Sequence, residues 1–244
     1  MHLRKGFTLI ELLVVIAIIA LLMAILMPAL ARVRQQAESV TCQATLKQWC
    51  IIWYNYCDDN EGFFQRDLDW IEPLRRYVQN DKLYLCVSAQ ETMAEGGRHP
   101  FAAWEDVAEG ITSSYGINQW INNFNVEEGG RKPENLWKTM NVRGGENAPI
   151  MGDCGEDGAT AQHCDGPPEF DGQIYLHEPQ DEDEIRNFCV NRHNGAMNMA
   201  FINFSVRRVG LKELWELDWS RDWNPVNQPP PDWPNWMRNM KDYH

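Results

Sequence analysis

The sequence predicts an α+β chain: a long N-terminal α-helix, membrane-spanning in its first half and amphipathic in its second, packed on a small antiparallel β-sheet domain. Three observations carry this. Residues 12–31 hold no charge and are nearly all Leu, Ile, Val, Ala or Met, and about 20 apolar residues in a helix cross a hydrocarbon core of about 30 Å. Beyond them the apolar positions thin to spacings of three and four, as in a helix with one buried face. Late in the chain, short apolar runs alternate with turn residues over 186–209, which reads as an antiparallel meander.

The first six residues, Met-His-Leu-Arg-Lys-Gly, form a basic flank, and the apolar helix begins at Phe7. A cleavable export signal has an apolar region of about 7–15 residues ending in small side chains. This run is longer and lacks that ending, so it reads as a retained anchor over 7–31. Pro28 lies inside it, removing a backbone hydrogen bond and crowding the preceding turn. The expectation is a kink or local melting over 23–28. The amphipathic pattern occupies 32–60 and stops at Cys57-Asp58-Asp59-Asn60-Glu61-Gly62. One helix of about 50 residues, about 75 Å long at 1.5 Å per residue, follows.

A globular domain is expected over 61–223. Within it, 69–79 reads as a short helix, 82–86 and 113–117 as strands, 133–140 as a helical turn with proline near its start, and 148–151 as a strand. Residues 152–168, rich in Gly, Asp and Pro, read as a loop. The meander comprises 186–191, a turn at Arg192-His193-Asn194-Gly195, then 198–202, Asn203-Phe204 and 205–209. Residues 211–218 return to helical spacing, and Trp215, Trp219 and Trp223 (i, i+4, i+8) are expected on one face against the sheet. The tail over 224–244 carries Pro225, Pro229, Pro230, Pro231 and Pro234, which exclude regular structure.

The formal charge is −13, from 35 Asp and Glu against 22 Lys and Arg. Such a surface repels phosphates, so nucleic acid is not an expected partner. Asp153, Glu156, Asp157 and Asp165 lie in the glycine-rich loop and supply oxygen ligands of the kind Ca²⁺ takes, though without EF-hand spacing. Seven cysteines suit an exported domain better than a reduced compartment. Cys154 and Cys164 would close the Gly/Asp-rich loop and are the first candidates for a local disulfide.

Lys5-Gly6-Phe7-Thr8-Leu9-Ile10-Glu11, followed by the apolar helix, resembles the type IV prepilin class, which comprises type IV pilins, type II secretion pseudopilins and their relatives. The resemblance covers roughly residues 4–31. It implies a pilin-like fold, and cleavage by prepilin peptidase between Gly6 and Phe7 with methylation of the new Phe7 amino group. It further implies an inner-membrane single-pass anchor with a cytoplasmic N-terminus, an exported C-terminal domain, and assembly with like subunits on an inner-membrane platform. Cutting removes Arg4 and Lys5, taking the side-chain charge from −13 to −15. Arg32 and Arg34 follow the span at a density like that before it, so positive charge alone leaves orientation balanced; the cysteines and the acidic domain favour an inside N-terminus. A carboxylate in an apolar helix costs about 2.5–3.5 kcal/mol at mid-bilayer. In the family, the glutamate corresponding to Glu11 neutralises the terminal amine of the adjoining subunit.

A second resemblance rests on four patches: Thr41-Cys42-Gln43-Ala44-Thr45-Leu46-Lys47-Gln48, Leu85-Cys86-Val87-Ser88-Ala89, Ser114-Tyr115-Gly116-Ile117-Asn118 and Arg192-His193-Asn194-Gly195. They are similar to pseudopilin-like proteins, including G-type major pseudopilins, with a signature of His, nine residues, then Asp-Gly. Here His193 leads to Asn203-Phe204 instead. G-type major pseudopilins bind calcium in a C-terminal loop, which the resemblance extends to the acidic loop here.

Three function classes follow. The first is a structural subunit polymerising through its N-terminal helix, with a type II secretion-like pseudopilus favoured over a surface pilus. The second is a minor pilin-like subunit that binds a ligand or secreted substrate through its Trp-rich and acidic face. The third is a membrane-tethered hydrolase, with His193 joined by His163, His177, Cys164 or Cys189. No His-Glu-x-x-His, nucleophile elbow or phosphate loop is present. His193 reads instead as a turn cap, no residue is assigned as catalytic, and the chain reads as a non-enzyme.

Overall fold

The computed structural model describes residues 9–89, 91–96, 99–106, 109–127, 131–174, 183–223 and 232–241. Helix α1 (Leu9–Asp59) is 51 residues long, against about 50 expected. It runs through Pro28 without interruption. The melting expected over 23–28 is absent, because one lost backbone hydrogen bond is carried by strong helix formers on both sides. The chain divides into two compact units, Met1–Glu38 and Ser39–His244, and each is described by itself.

In the first unit the described residues 9–37 are exposed along the helix. Its most apolar 18-residue window has a mean hydropathy of 3.2 with no residue buried. By length and composition this stretch is sufficient to cross a membrane. Arg34 Nε donates to Glu38 Oε1 at 2.9 Å one turn on, an exposed pair of little energetic weight.

In the second unit the rest of α1 buries Ser39, Cys42, Leu46, Trp49, Cys50, Ile52, Trp53 and Cys57, the spacing of one packed face. Trp49 and Trp53 anchor an edge-to-face aromatic cluster: Trp49 meets Trp70 at 5.3 Å and Tyr84 at 5.1 Å, and Trp53 meets Phe64 at 5.7 Å. The helix ends where Glu61 and Gly62 take left-handed backbone (φ 58° and 83°) and the Gly62 amide returns to the Cys57 carbonyl at 2.7 Å. Helix α2 (Ile71–Leu74) follows, its first amide capped by Asp69 Oδ1 at 2.8 Å. A 3₁₀ turn at Arg75–Tyr77 completes the element expected over 69–79.

Among the described residues, eight strands form two sheets. Strands β1 (Glu91–Thr92), β2 (Ala102–Asp106) and β3 (Ile111–Ser113) make a small sheet, with β1 parallel and β3 antiparallel to β2. Strands β4 (Tyr115–Asn118), β5 (Pro149–Asp153), β6 (Gly158–Ala159), β7 (Ala196–Phe201) and β8 (Val206–Gly210) make the main sheet in the order β6-β4-β5-β7-β8. All its neighbours are antiparallel except β4 and β6. The architecture is the expected α+β one, with mixed rather than purely antiparallel sheets. Every residue of β7 is buried, as a strand covered on both faces requires.

Several elements differ from expectation. Residues 82–86 lie largely in a 3₁₀ turn, Asp81–Tyr84, because Asn80 caps it by accepting from the Lys82 amide at 3.1 Å. The strand expected over 113–117 divides at Ser114 between the two sheets. Residues 186–191 are not a strand; a 3₁₀ turn occupies Glu184–Asn187, and β5 pairs with the β7–β8 hairpin instead. The segment after β8 is a 3₁₀ helix, Leu211–Glu216, so the three tryptophans do not share an α-helical face. Burial still claims Trp215, Trp219 and Trp223, and Trp236 Nε1 of the tail donates to Pro168 at 2.9 Å. Pro225, Pro229, Pro230 and Pro231 lie outside the described residues.

Candidate functional site

The predicted cleavage and methylation pair, Gly6 and Phe7, lies outside the described residues. Glu11 is in the first turn of α1 and exposed, on the helix whose apolar side chains from Leu9 to Val33 are also exposed. A continuous apolar helical surface of this extent is an interaction surface by its chemistry, since isolated soluble proteins rarely expose large contiguous apolar patches.

In the second unit, all four late patches contribute to one buried polar centre, joined there by Asp153 and Asn198, which lie in none of them. A disulfide joins Cys42 of α1 to Cys86. The Cys86 amide donates to Ser114 Oγ at 2.6 Å, and Cys86 Sγ lies 3.7 Å from His193 Nε2. His193 Nε2 in turn is 3.1 Å from Asp153 Oδ2 at the end of β5. The Asn198 amide of β7 donates to the same Asp153 Oδ2 at 2.8 Å. The Asn198 side chain then reaches α1, accepting from Gln43 at 2.9 Å and from Ser39 at 3.2 Å.

Arg192 organises the far side of this centre. Its guanidinium donates to the carbonyls of Pro100 (2.6 Å), Ala102 (2.8 Å), Cys154 (2.8 Å) and Ser114. Nη1 faces Asp153 Oδ1 at 3.6 Å, with both side chains fully buried. Burial lowers the Arg192 pKa and the Asp153 carboxylate opposes that. A guanidinium has five N–H donors; four carbonyls accept from it, and the Asp153 carboxylate faces it as an ionic neighbour rather than a hydrogen-bond partner.

His193 is therefore not merely a turn cap. Its backbone closes the turn, donating to the Ala196 carbonyl at 3.0 Å, while its ring is closed into the core against Asp153 and Cys86. Of the histidine partners considered for hydrolysis, His163 instead stacks on Trp223 at 4.7 Å, and His177 lies outside the described residues. At the variant position, Phe204 takes φ 59°, the conformation a glycine would supply. Its ring meets Tyr54 of α1 at 6.0 Å and its carbonyl accepts from Lys47 Nζ at 2.5 Å. Asn203 Oδ1 accepts from the Ser205 amide at 2.9 Å. Packing on α1 thus holds a backbone shape that the side chain disfavours.

Two expectations are corrected. Cys154 and Cys164 are not joined: Cys154 is fully buried, Cys164 is exposed, and the disulfide uses Cys42 and Cys86. Burial pushes the Cys154 and Cys189 thiols well up, Cys50 to about 11 and Cys57 to about 12, which makes them poor nucleophiles. The four acidic residues named for calcium do not gather. Asp153 serves Arg192 and His193. Asp165 turns inward, its Oδ2 accepting from the amides of Ile185 (3.0 Å) and Gln162 (3.1 Å). Glu156 and Asp157 lie toward solvent. Among the described residues the one group spaced to hold a metal is Cys42, Cys86 and His193, and its two sulfurs are bonded to each other.

Residues 1–27 match the family described as the prokaryotic N-terminal methylation motif. No curated protein and no solved structure matches the chain. The prepilin-type motif and the apolar helix together fit anchoring in the inner membrane.

Two stability predictions follow from this geometry. Replacing Arg192 with Met removes four carbonyl partners and leaves Asp153 as a buried charge, so unfolding in urea should show a loss of about 3–5 kcal/mol. Arg76→Met, which breaks an exposed pair with Asp59 at 3.7 Å, should cost less than about 1 kcal/mol. Equal costs for the two would contradict the role given to Arg192. The second prediction concerns Asp165, whose pKa burial pushes from 3.8 to about 7, with Asp183 and Glu184 adding to the rise. The folded state then holds this proton more tightly than the unfolded state. Its contribution is full below about pH 4 and is lost as pH rises through about 7, a change of the order of 4 kcal/mol. Asp165→Asn keeps an acceptor for both amides and has no charge to bury. Its melting temperature should exceed that of the parent at pH 8, and the gap should close toward pH 4.

Proposed function

We propose that the chain is a pilin-like structural subunit of the pseudopilin kind. Prepilin peptidase cuts between Gly6 and Phe7 and methylates the new amino group, and the processed chain polymerises through its N-terminal helix into a type II secretion-like pseudopilus on an inner-membrane platform. The observation that carries this reading is a methylation motif over residues 1–27 on a helix whose apolar side chains from Leu9 to Val33 are exposed.

Burying a Leu or Ile side chain is worth about 1.5–3 kcal/mol. Lipid supplies that burial before assembly and neighbouring helices supply it afterwards, by close packing rather than by a hydrophobic gain. Glu11 then fixes the axial position. Its carboxylate is costly in an apolar phase unless a cation meets it, and the Phe7 amine four residues earlier is that cation on an adjoining subunit. Methylation keeps the positive charge while adding apolar bulk. The N-terminus is cytoplasmic and the domain after the helix is exported, where the Cys42–Cys86 disulfide persists. The role is structural rather than enzymatic, with His193 committed to the core.

Glu11→Val should leave cleavage and membrane insertion intact, since the helix stays apolar, while incorporation into sheared filaments falls at least about tenfold. Normal incorporation of Glu11→Val would remove the assembly role.

A further inference from the structure

The ligating atoms of Cys42, Cys86 and His193 all lie within 4.8 Å of one another, and all three residues are buried. They come from distant parts of the chain: α1, the segment after the 3₁₀ turn at Asp81–Tyr84, and the turn before β7. With the disulfide closed, the two sulfurs serve each other. Every chain is made with its cysteines as thiols, however, so the same centre also has a dithiol state. Its donors are then two thiols, an imidazole and the neighbouring Asp153 carboxylate, a set of the kind that holds structural zinc. Around one tetrahedral Zn²⁺, donors at about 2.0–2.3 Å stand about 3.3–3.8 Å from each other. Here Cys86 Sγ and His193 Nε2 are 3.7 Å apart, and the same Nε2 is 3.1 Å from Asp153 Oδ2. Opening the disulfide lets the two sulfurs part to the same spacing.

The donor set and the charge both select the metal. Thiolates disfavour magnesium and calcium, and a tetrahedral site of mixed sulfur and nitrogen suits zinc. Binding displaces the two thiol protons, so two thiolates and one Zn²⁺ add no net charge to a sealed centre in which Asp153 already faces Arg192. An unbalanced charge would be costly there. Asp153 also has acceptor capacity to spare, because its Oδ1 accepts no hydrogen bond among the described residues. Its Oδ2 is held by the Asn198 amide at 2.8 Å, the type of outer contact that orients a ligating carboxylate. We propose that the dithiol form of this centre binds one Zn²⁺ through Cys42, Cys86 and His193, with Asp153 as the fourth ligand. The metal ties α1 to the sheet in the chain whose disulfide has not yet closed. The disulfide consumes both thiolate donors, so the two states exclude each other. This site stands apart from the filament role, and neither depends on the other.

The test uses the full-length chain in detergent, unfolded in urea with a phosphine reductant and refolded by dilution with Zn²⁺. The phosphine becomes its oxide, and water supplies the oxygen and the two thiol protons. After desalting, the reduced chain should retain one Zn²⁺, with a Kd of about 1 nM or below against a chelating dye. The same chain with its disulfide intact should retain none, a comparison that needs no variant. X-ray absorption at the zinc edge should show two sulfur neighbours and two nitrogen or oxygen neighbours. Even an outer partner of a metal ligand is worth about tenfold in affinity, so His193→Gln should weaken binding by at least that factor. Cys164→Ser, at an exposed position outside the cluster, should leave it unchanged. Four outcomes would each overturn the proposal: no zinc on the reduced chain, equal zinc on the disulfide form, affinity unchanged in His193→Gln, or three or more sulfur neighbours, which would put the metal on other cysteines.

Discussion

Arg192 is sealed from water, and its guanidinium reaches the carbonyls of Pro100, Ala102, Ser114 and Cys154 together with the Asp153 carboxylate. Moving such a charge out of water is repaid by hydrogen bonds and a facing opposite charge, and here four carbonyls and the Asp153 carboxylate supply them. The four carbonyls come from the small sheet and its approach, the junction between the two sheets, and the residue after β5. The same Asp153 holds the ring of His193 and the backbone of β7, and Asn198 of β7 carries the network to Ser39 and Gln43 of α1. One ion pair therefore fixes two sheets and, through β7, the helix they pack on. The Cys42–Cys86 disulfide adds a covalent tie at the same place, restricting the unfolded chain and thereby stabilising the folded one.

The helix was the most legible part of the sequence, because its two signals are one-dimensional. An uncharged apolar run and a three–four spacing are both visible without knowing what lies opposite. The β7–β8 hairpin was legible for a similar reason, since turn residues flank short apolar runs. The strand expected over 186–191 does not form: the 3₁₀ turn at Glu184–Asn187 ends before Phe188, Cys189 and Val190, which are buried in irregular backbone, and so short an apolar run looks the same along the chain in either state. The tryptophans from Trp215 to Trp223 were assigned correctly to the core but to the wrong helical geometry, burial being a stronger constraint than periodicity there.

The site divides the same way. Thr41-Cys42, Leu85-Cys86, Ser114 and Arg192-His193 each stand out in the sequence, yet nothing along the chain says that they meet. Proximity in sequence favoured Cys154 with Cys164 and grouped Asp153 with the other acids of the loop. Folding instead turns Asp153 and Asp165 inward, to separate partners. A buried Arg between a turn and a strand leaves no periodic trace, so Arg192 carried no signal of its own beyond standing next to His193. Phe204 is the converse case: its residue type argued against a left-handed backbone, and contact with Tyr54 overrides that preference.

The N-terminal motif and the domain centre make a joint claim about where this chain goes: a helix processed at Phe7 and a domain whose cysteines Cys42 and Cys86 are oxidised. A non-reducing peptide mass map of the chain extracted from membranes tests both in one measurement. The expected result is an N-terminal peptide beginning at singly methylated Phe7, together with a linked pair of peptides carrying Cys42 and Cys86. An N-terminal peptide beginning at Met1, or Cys42 and Cys86 both recovered as thiols, would contradict the account.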